Sequence, residues 1–182
     1  AVIVYKIIQA GKLEINQKIA DLLALAILTD TGNFKFTRNG EVLRIMADLV
    51  DGGVNIRNLI ELMNNKPRKA VQLEARTAAN AEFFYHGRLA LATIVKKDYK
   101  YLDGRGEMVL SLLGQISGVE YIVLLKEQKP EQIGISIRSR KNPIDKIAVE
   151  LGGGGHERAA GAIVRDSLEN VRARVLELFK GE

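Results

Sequence analysis

The 182-residue chain contains no cysteine and no tryptophan, and it has only three prolines and two histidines. Without cysteine, a disulfide framework and a thiolate metal site are excluded. No apolar run approaches the roughly 20 residues that cross a bilayer, and no segment has the pattern of a secretory signal. These absences predict a cytoplasmic protein without a membrane partner.

The charge is moderately basic, with 27 Lys and Arg against 22 Asp and Glu and a net charge of +5. A basic surface attracts nucleotides and nucleic acids, but many basic proteins have no such partner. The charge alone therefore leaves the partner open. The two histidines, His86 and His156, limit any proposal for catalysis by imidazole.

The first part of the chain has the pattern of a helical body. Asn16 is a good N-cap for an apolar helix over residues 16–30, which we expect to be buried on most of its faces. Residues 40–53 predict an amphipathic helix that ends at glycines, and Asn55 caps a further helix that ends near Asn65. We assign residues 1–65 to this first body.

A polar helix begun by Pro67 predicts a connector over residues 66–82. Residues 83–182 then alternate between strand and helix patterns, with a hairpin at His86-Gly87 and two strands joined around Pro130. Asn142 is expected to cap a helix that starts at Pro143. The predicted fold class is α/β: a mostly helical first part, a helical connector and a mixed α/β second domain. His86 is expected to be an exposed turn residue.

The segment "LGGGGHERAAGA", residues 151–162, contains more glycine than a simple turn needs. Gly152 can end the preceding helix, but Gly153, Gly154 and Gly155 remain. Successive glycines can turn their N–H groups toward a bound anion, and His156 can donate to a phosphate oxygen. The alternative is a flexible linker, which does not need the small residues that follow. The dinucleotide fingerprint is excluded because these glycines follow a helix and not a strand.

A second basic element, "ISIRSRKNP", precedes the glycines. On a strand, Arg138 and Arg140 lie on one face and Ser139 lies on the other. Arginine presents a planar set of donors that suits phosphate. A solvated edge strand is the alternative interpretation of the same residues.

These motifs together resemble a known family. "GGGGHERAAGA" preceded by "SIRSR" resembles the C-terminal substrate-binding domain of the DHH phosphoesterases, and "ILTDTGNFKF" resembles the fourth motif of their catalytic domain. The resemblance is greatest to the nanoRNase and phosphoadenosine-phosphate phosphatase group. It covers essentially the whole chain, and the order of the elements agrees.

The resemblance implies a catalytic role for Asp30 as a ligand of a metal pair, usually two Mn²⁺ ions. Without the resemblance, Asp30 is better explained as a helix-terminal or turn-capping residue before Thr31-Gly32. The resemblance also implies that a phosphate or terminal nucleotide of the substrate is bound by Arg138, Ser139, Arg140, Gly153, Gly154, Gly155 and His156. The expected substrates are short oligonucleotides or nucleotide derivatives, hydrolysed at a phosphate ester bond.

The chain departs from the family pattern because the first three motifs, with their Asp-His-x-Asp and Asp-His-His runs, are absent. One carboxylate cannot hold two metal ions, and the chain begins abruptly at Ala1. We therefore expect the C-terminal part of an enzyme, inactive by itself. Its expected partners are the missing N-terminal part of the catalytic domain, the substrate and a second copy in a homodimer.

Two other functions fit part of the pattern. A nucleic-acid-binding module without catalysis is one, because alanyl-tRNA synthetases carry a similar glycine-rich domain at their C-terminus. A scaffold with a structural glycine loop is the other. The "TDTGNF" segment favours the enzyme, since a module that only binds has no reason to keep it.

Overall fold

The computed structural model describes residues 1–35, 37, 39–102 and 106–181. The chain divides into two compact units, unit 1 over Ala1–Asn65 and unit 2 over Lys66–Glu182. Phe36 of the "ILTDTGNFKF" motif lies outside the described residues. Within the described ranges, none of the helices has the length and hydropathy needed to cross a membrane.

Unit 1 is helical in its described part. Its helices are α1 (Val2–Ala10), α2 (Gln17–Thr31), α3 (Glu41–Asp51) and α4 (Ile56–Asn64). The side chains of Asn16 and Asn55 accept the backbone N–H groups of Ile19 and Asn58, which confirms both predicted N-caps.

Helix α2 supplies much of the core of unit 1, but only along one side. Its buried residues, Ala20, Leu23, Ala24, Ile27 and Leu28, pack with α1 and α3. Leu22, on the other side, is 57% exposed. The prediction of a helix buried on most faces is therefore met in part, because Ile19, Leu25 and Ala26 are half-buried while the side of Leu22 is open to solvent.

Unit 2 is built on one mixed sheet. Its elements are α5 (Arg68–Ala79), β1 (Glu82–Phe84), β2 (Leu89–Ile94), α6 (Lys96–Tyr99), α7 (Glu107–Leu113), β3 (Tyr121–Lys129), β4 (Gln132–Ser139), α8 (Asp145–Glu150), β5 (Gly154–His156), β6 (Ala159–Val164) and α9 (Leu168–Phe179). The strand order is β1-β2-β3-β4-β6-β5, and every pairing is antiparallel except the parallel pair β2–β3. The predicted α/β class is confirmed.

Helices cover both faces of this sheet. The side chains of α8 and α9 pack on one face, and those of α5 and α7 pack on the other. The central strands β2 and β3 are therefore buried on both sides, which explains their continuous apolar runs "LALATI" and "YIVLL". Ala70 and Leu73 of α5 are buried, so this helix is part of unit 2.

Two predicted turns are confirmed and one predicted cap is wrong. β1 and β2 form the hairpin around His86-Gly87, and β3 and β4 pair on either side of Pro130. Helix α8 starts at Asp145 and not at Pro143, with Ile144 in the N-cap position. The amide of Asn142 instead donates to the Tyr121 hydroxyl at 2.6 Å, so a contact distant in sequence takes the group expected to cap the helix.

The glycines form the end of a helix and then an edge strand. The N–H groups of Gly152 and Gly153 donate to the Val149 and Ala148 carbonyls, which closes α8. Residues 154–156 pair with β6 as β5, at the edge of the sheet. The segment is therefore extended, and the concave glycine loop predicted from the sequence is not formed, because these residues pair along β6.

Candidate functional site

The four consecutive glycines do not all have the same reason to be glycine. A Cβ atom on Gly153 would lie 2.1 Å from the Gly161 carbonyl oxygen, and one on Gly155 would lie 2.5 Å from Cα of Ala160. These two positions must be glycine because β5 runs so close to β6. Gly154 is exposed, and a Cβ there would meet nothing within 4 Å. Packing within the chain therefore does not account for the missing side chain at Gly154.

The strand register places Gly154 beside the predicted basic element. Gly154 lies opposite Gly161, which lies opposite Ser136 on β4. These three residues form one row across the sheet. In the next row on the same face, His156 lies opposite Ala159, which lies opposite Arg138. Directly opposed residues share one face of a sheet, so these two rows belong to the same face. The glycine–histidine face, as we name it, consists of Lys126, Ser136, Arg138, Gly154, His156 and Gly161.

Arg138 is half-buried and held in a defined orientation. Its Nη2 donates to Oε1 of Glu107 at 2.6 Å, and its Nη1 donates to the Ile137 carbonyl at 3.0 Å. Glu107 is in the first turn of α7. Arginine has five N–H donors, so these two bonds leave others for a ligand. The arrangement is suited to an anion that approaches along the sheet.

His156 occupies the edge strand at the end of the second row. Its side chain is exposed and makes no hydrogen bond with any described residue. An imidazole in this position can donate to a ligand oxygen without first breaking a bond inside the protein. His156, Gly154 and Arg138 are the predicted site residues that the structure brings together.

Two further residues of this face were missed from the sequence. Lys126 is 7% exposed, and its Nζ donates to Oγ of Ser136 at 2.8 Å. A strand period of two residues could have found Ser136, because it precedes Arg138 by two positions. Lys126 directly follows the apolar run of β3, and a lysine in that position is the sequence feature that could have identified it.

Other predicted site residues have different surroundings. Nε of Arg140 donates at 3.1 Å to the carbonyl of Gly114, the residue that follows α7. Ser139 lies opposite Tyr121, on the reverse face from Arg138, and its buried Oγ has no hydrogen-bond partner among the described residues. Neither side chain is part of the glycine–histidine face.

Asp30 lies in the last turn of α2, and its side chain is 71% exposed. The hydroxyl of Thr31 donates to the Ile27 carbonyl and accepts the N–H of Phe34. Gly32, Asn33 and Phe34 all have positive φ, and Phe34 at +69° is in a conformation that bulky residues rarely adopt. The backbone that follows Asp30 is therefore strained, which is common beside functional side chains.

The described residues do not complete a metal site around Asp30. Among the described residues, the cavity beside it is lined by Ala1, Val2, Ile3, Ile27, Thr31 and Val42, and Asp30 is the only carboxylate of this lining. Across the described ranges, no three His, Cys, Asp or Glu side chains come together as metal ligands. A pair of divalent ions needs several oxygen or nitrogen ligands, so this donor set does not fit the implied metal pair.

Comparison with known proteins shows the family of the chain. A model of the DHHA1 domain matches residues 90–181. The bifunctional oligoribonuclease and PAP phosphatase NrnA of Thermus thermophilus is 33% identical over 168 residues, which cover 91% of this chain and 51% of that protein. The protein of the same name from Bacillus subtilis is 27% identical over 169 residues, covering 88% and 53%.

Among solved structures, an exopolyphosphatase-related protein from Bacteroides fragilis matches with a TM-score of 0.80 and 25% identity. The match covers 92% of this chain and 52% of that one. The chain thus spans about half the length of these two NrnA relatives. The domain match and the shared fold of the Bacteroides fragilis protein agree with the sequence relatives. The chain therefore belongs to the DHH phosphoesterase family, and residues 90–181 are its DHHA1 domain.

Proposed function

We propose that the glycine–histidine face binds a phosphate or terminal nucleotide of a short oligonucleotide or nucleotide derivative. The complete enzyme then hydrolyses a phosphate ester bond of that substrate. The observation that carries the proposal is Gly154, which is exposed and lacks a side chain although no described residue occupies the space of one. It lies in the row next to the one that contains both Arg138 and His156.

The chemistry of the face suits a phosphate group. Arg138 can give charge-assisted hydrogen bonds, which are stronger than those between neutral groups. The His156 imidazole can donate a further bond, and the Ser136 hydroxyl, which accepts from Lys126, can donate its own hydrogen outward. The missing Cβ at Gly154 lets a ligand reach the backbone. The face thus combines a positive charge, hydrogen-bond donors and a backbone that a phosphate group can reach.

The substrate class and the enzymatic role are supported by the relatives. Both NrnA relatives carry the name of an oligoribonuclease and PAP phosphatase. The strained turn after Asp30 lies in the segment that resembles the fourth catalytic motif of the DHH phosphoesterases. A module that only binds nucleic acid does not need this segment. We therefore favour a phosphoesterase over a binding module. The same proposal includes a cytoplasmic location and a homodimer.

The metal requirement is proposed for the complete enzyme and not for the described residues. Asp30 supplies one carboxylate, and we propose that the remaining ligands of an Mn²⁺ pair come from a part of the relatives' length that this chain does not span. In this proposal the chain contributes the substrate-binding face and a single metal-ligating side chain.

We expect the 182-residue chain alone to show negligible hydrolysis of a diribonucleotide in the presence of Mn²⁺. One carboxylate does not hold the ions that activate water and stabilise the attacked phosphate. The measurement is product formation followed by chromatography, with a complete family enzyme as the positive control. Robust turnover by the purified chain would contradict the proposed division of the site.

The binding role is tested by adding a side chain at Gly154. We expect Gly154→Val to fold normally, because its Cβ has open space and β-branched residues suit strands. It should nevertheless weaken binding of a 5′-phosphorylated diribonucleotide at least tenfold, measured by calorimetric titration in EDTA. Gly181→Val is the matched control, since Gly181 also has no neighbour within 4 Å of a Cβ and follows α9 on the reverse face of the sheet. Equal affinity of both variants would reject the role of Gly154.

A further inference from the structure

A cationic and aromatic surface lies where α5 meets the segment after α6. The ring of Tyr101 is 39% exposed, with Nζ of Lys69 at 5.4 Å and Nζ of Lys100 at 5.0 Å from its centroid. Both lysines are exposed, and neither pairs with a carboxylate of the described residues. We name these three residues the tyrosine–lysine surface.

The fold fixes the backbone that carries this ring. Asp98 of α6 forms an ion pair with Arg76 of α5 at 3.2 Å, which ties the two helices together. The N–H of Lys96 donates to Oε2 of Glu127 at 2.9 Å, at the start of α6. Tyr99, two residues before the ring, packs against the core on this side of the sheet. Tyr101 is therefore presented on an anchored backbone.

From this surface we infer a second contact site, for a base and the neighbouring phosphates of a single-stranded nucleic acid. An aromatic ring flanked by ammonium groups is how proteins bind single strands without reading their sequence. An exposed contact between a lysine and a ring is weak. The two lysines can therefore leave the ring for phosphate oxygens when a base stacks on it.

The surface lies on the same side of the sheet as the glycine–histidine face. Leu102 follows Tyr101, and its Cδ1 is 3.8 Å from the place where a Cβ of Gly106 would stand. Glu107, the residue after Gly106, contacts Arg138. Both surfaces therefore occupy the α5 and α7 side of the sheet. An oligonucleotide bound at Arg138 can place a further base on Tyr101, and in this respect the inference rests on the proposed function.

The test compares RNA lengths on the complete 182-residue chain in EDTA. Fluorescence anisotropy is measured with a labelled diribonucleotide and a labelled hexaribonucleotide. We expect Tyr101→Ala to weaken hexanucleotide binding about tenfold, as for the loss of a stacked base, and dinucleotide binding less than twofold. Tyr101→Phe, which keeps the ring, is the matched control and should bind both like the unmodified chain.

Stacking has a direct spectroscopic readout, because the chain contains no tryptophan. Tyr101→Trp introduces a single indole whose fluorescence should be quenched by the hexanucleotide and not by the dinucleotide. Lys69→Gln and Lys100→Gln should each reduce the slope of log affinity against log salt for the hexanucleotide by about 0.7.

The outcomes separate the two proposals. If Tyr101→Ala leaves hexanucleotide binding unchanged while the dinucleotide still needs Arg138, the present inference is overturned and the proposed function stands. If the dinucleotide fails to bind, or binds without Arg138, the proposed function fails. The tyrosine–lysine surface is then supported only if Tyr101→Ala still weakens the hexanucleotide and the indole is still quenched, and it is overturned if either effect is missing.

Discussion

Gly153→Ala is expected to lower the free energy of unfolding by about 3 kcal/mol, toward the upper end of the cost of overpacking. The new Cβ would lie 2.1 Å from the Gly161 carbonyl oxygen and 2.6 Å from Cα of Ala162. Both neighbours are backbone atoms of β6, which pairs with β4 and cannot move without disturbing that ladder. Calorimetric melting of the complete chain measures the effect.

Gly154→Ala is the matched control for this experiment. The position has open space, and its φ is outside the left-handed region, so alanine fits without strain. Alanine also restricts the unfolded chain, and a compatible Gly→Ala change stabilises by about 0.4–1 kcal/mol. We therefore expect a neutral or slightly stabilised variant. Equal losses at both positions would contradict our division of the glycines into packed and unpacked ones.

Arg138→Ala and His156→Ala are each expected to weaken binding of a 5′-phosphorylated diribonucleotide by about 1.5–3 kcal/mol, or roughly 10- to 150-fold. The reason is the loss of charged or directed donors on the glycine–histidine face. Arg138 carries the larger expected effect, because it is oriented by Glu107 and keeps several donors for the ligand. Calorimetric titration in EDTA measures the change.

Arg140→Ala is the control for these two variants. It removes the same side chain two residues away, but the guanidinium of Arg140 is bound to the Gly114 carbonyl and not to the glycine–histidine face. Its effect on affinity should stay within about twofold, the size expected for an exposed charge. If Arg138→Ala and His156→Ala both bind like the unmodified chain, the glycine segment has only a structural role.

Features stabilised by local contacts were predictable from the sequence. Asn16 and Asn55 bond to N–H groups three residues away, so the capping pattern is complete within one turn. The strands beside Pro130 follow from turn chemistry and apolar alternation, which are local as well. The placement of Arg138 on one face and Ser139 on the other follows from the strand period.

Features fixed by distant contacts were not predictable. Asn142 has the sequence of a helix cap, but its amide bonds to Tyr121 on a strand 21 residues earlier. The extended glycines depend on β6, which comes later in the chain. Lys126 joins the candidate site only because β3 and β4 pair in a particular register. A single sequence does not contain these pairings in a form that local patterns reveal.

The parallel pair β2–β3 has a consequence for the order of folding. The antiparallel pairs β1–β2 and β3–β4 are joined by short turns, whereas β2 and β3 meet only after residues 95–120 have crossed over. Closing a longer loop costs more entropy before any contact is gained, and non-local pairing slows folding. The two hairpins should therefore form early and associate along β2–β3 in a slower step that limits the refolding rate of unit 2.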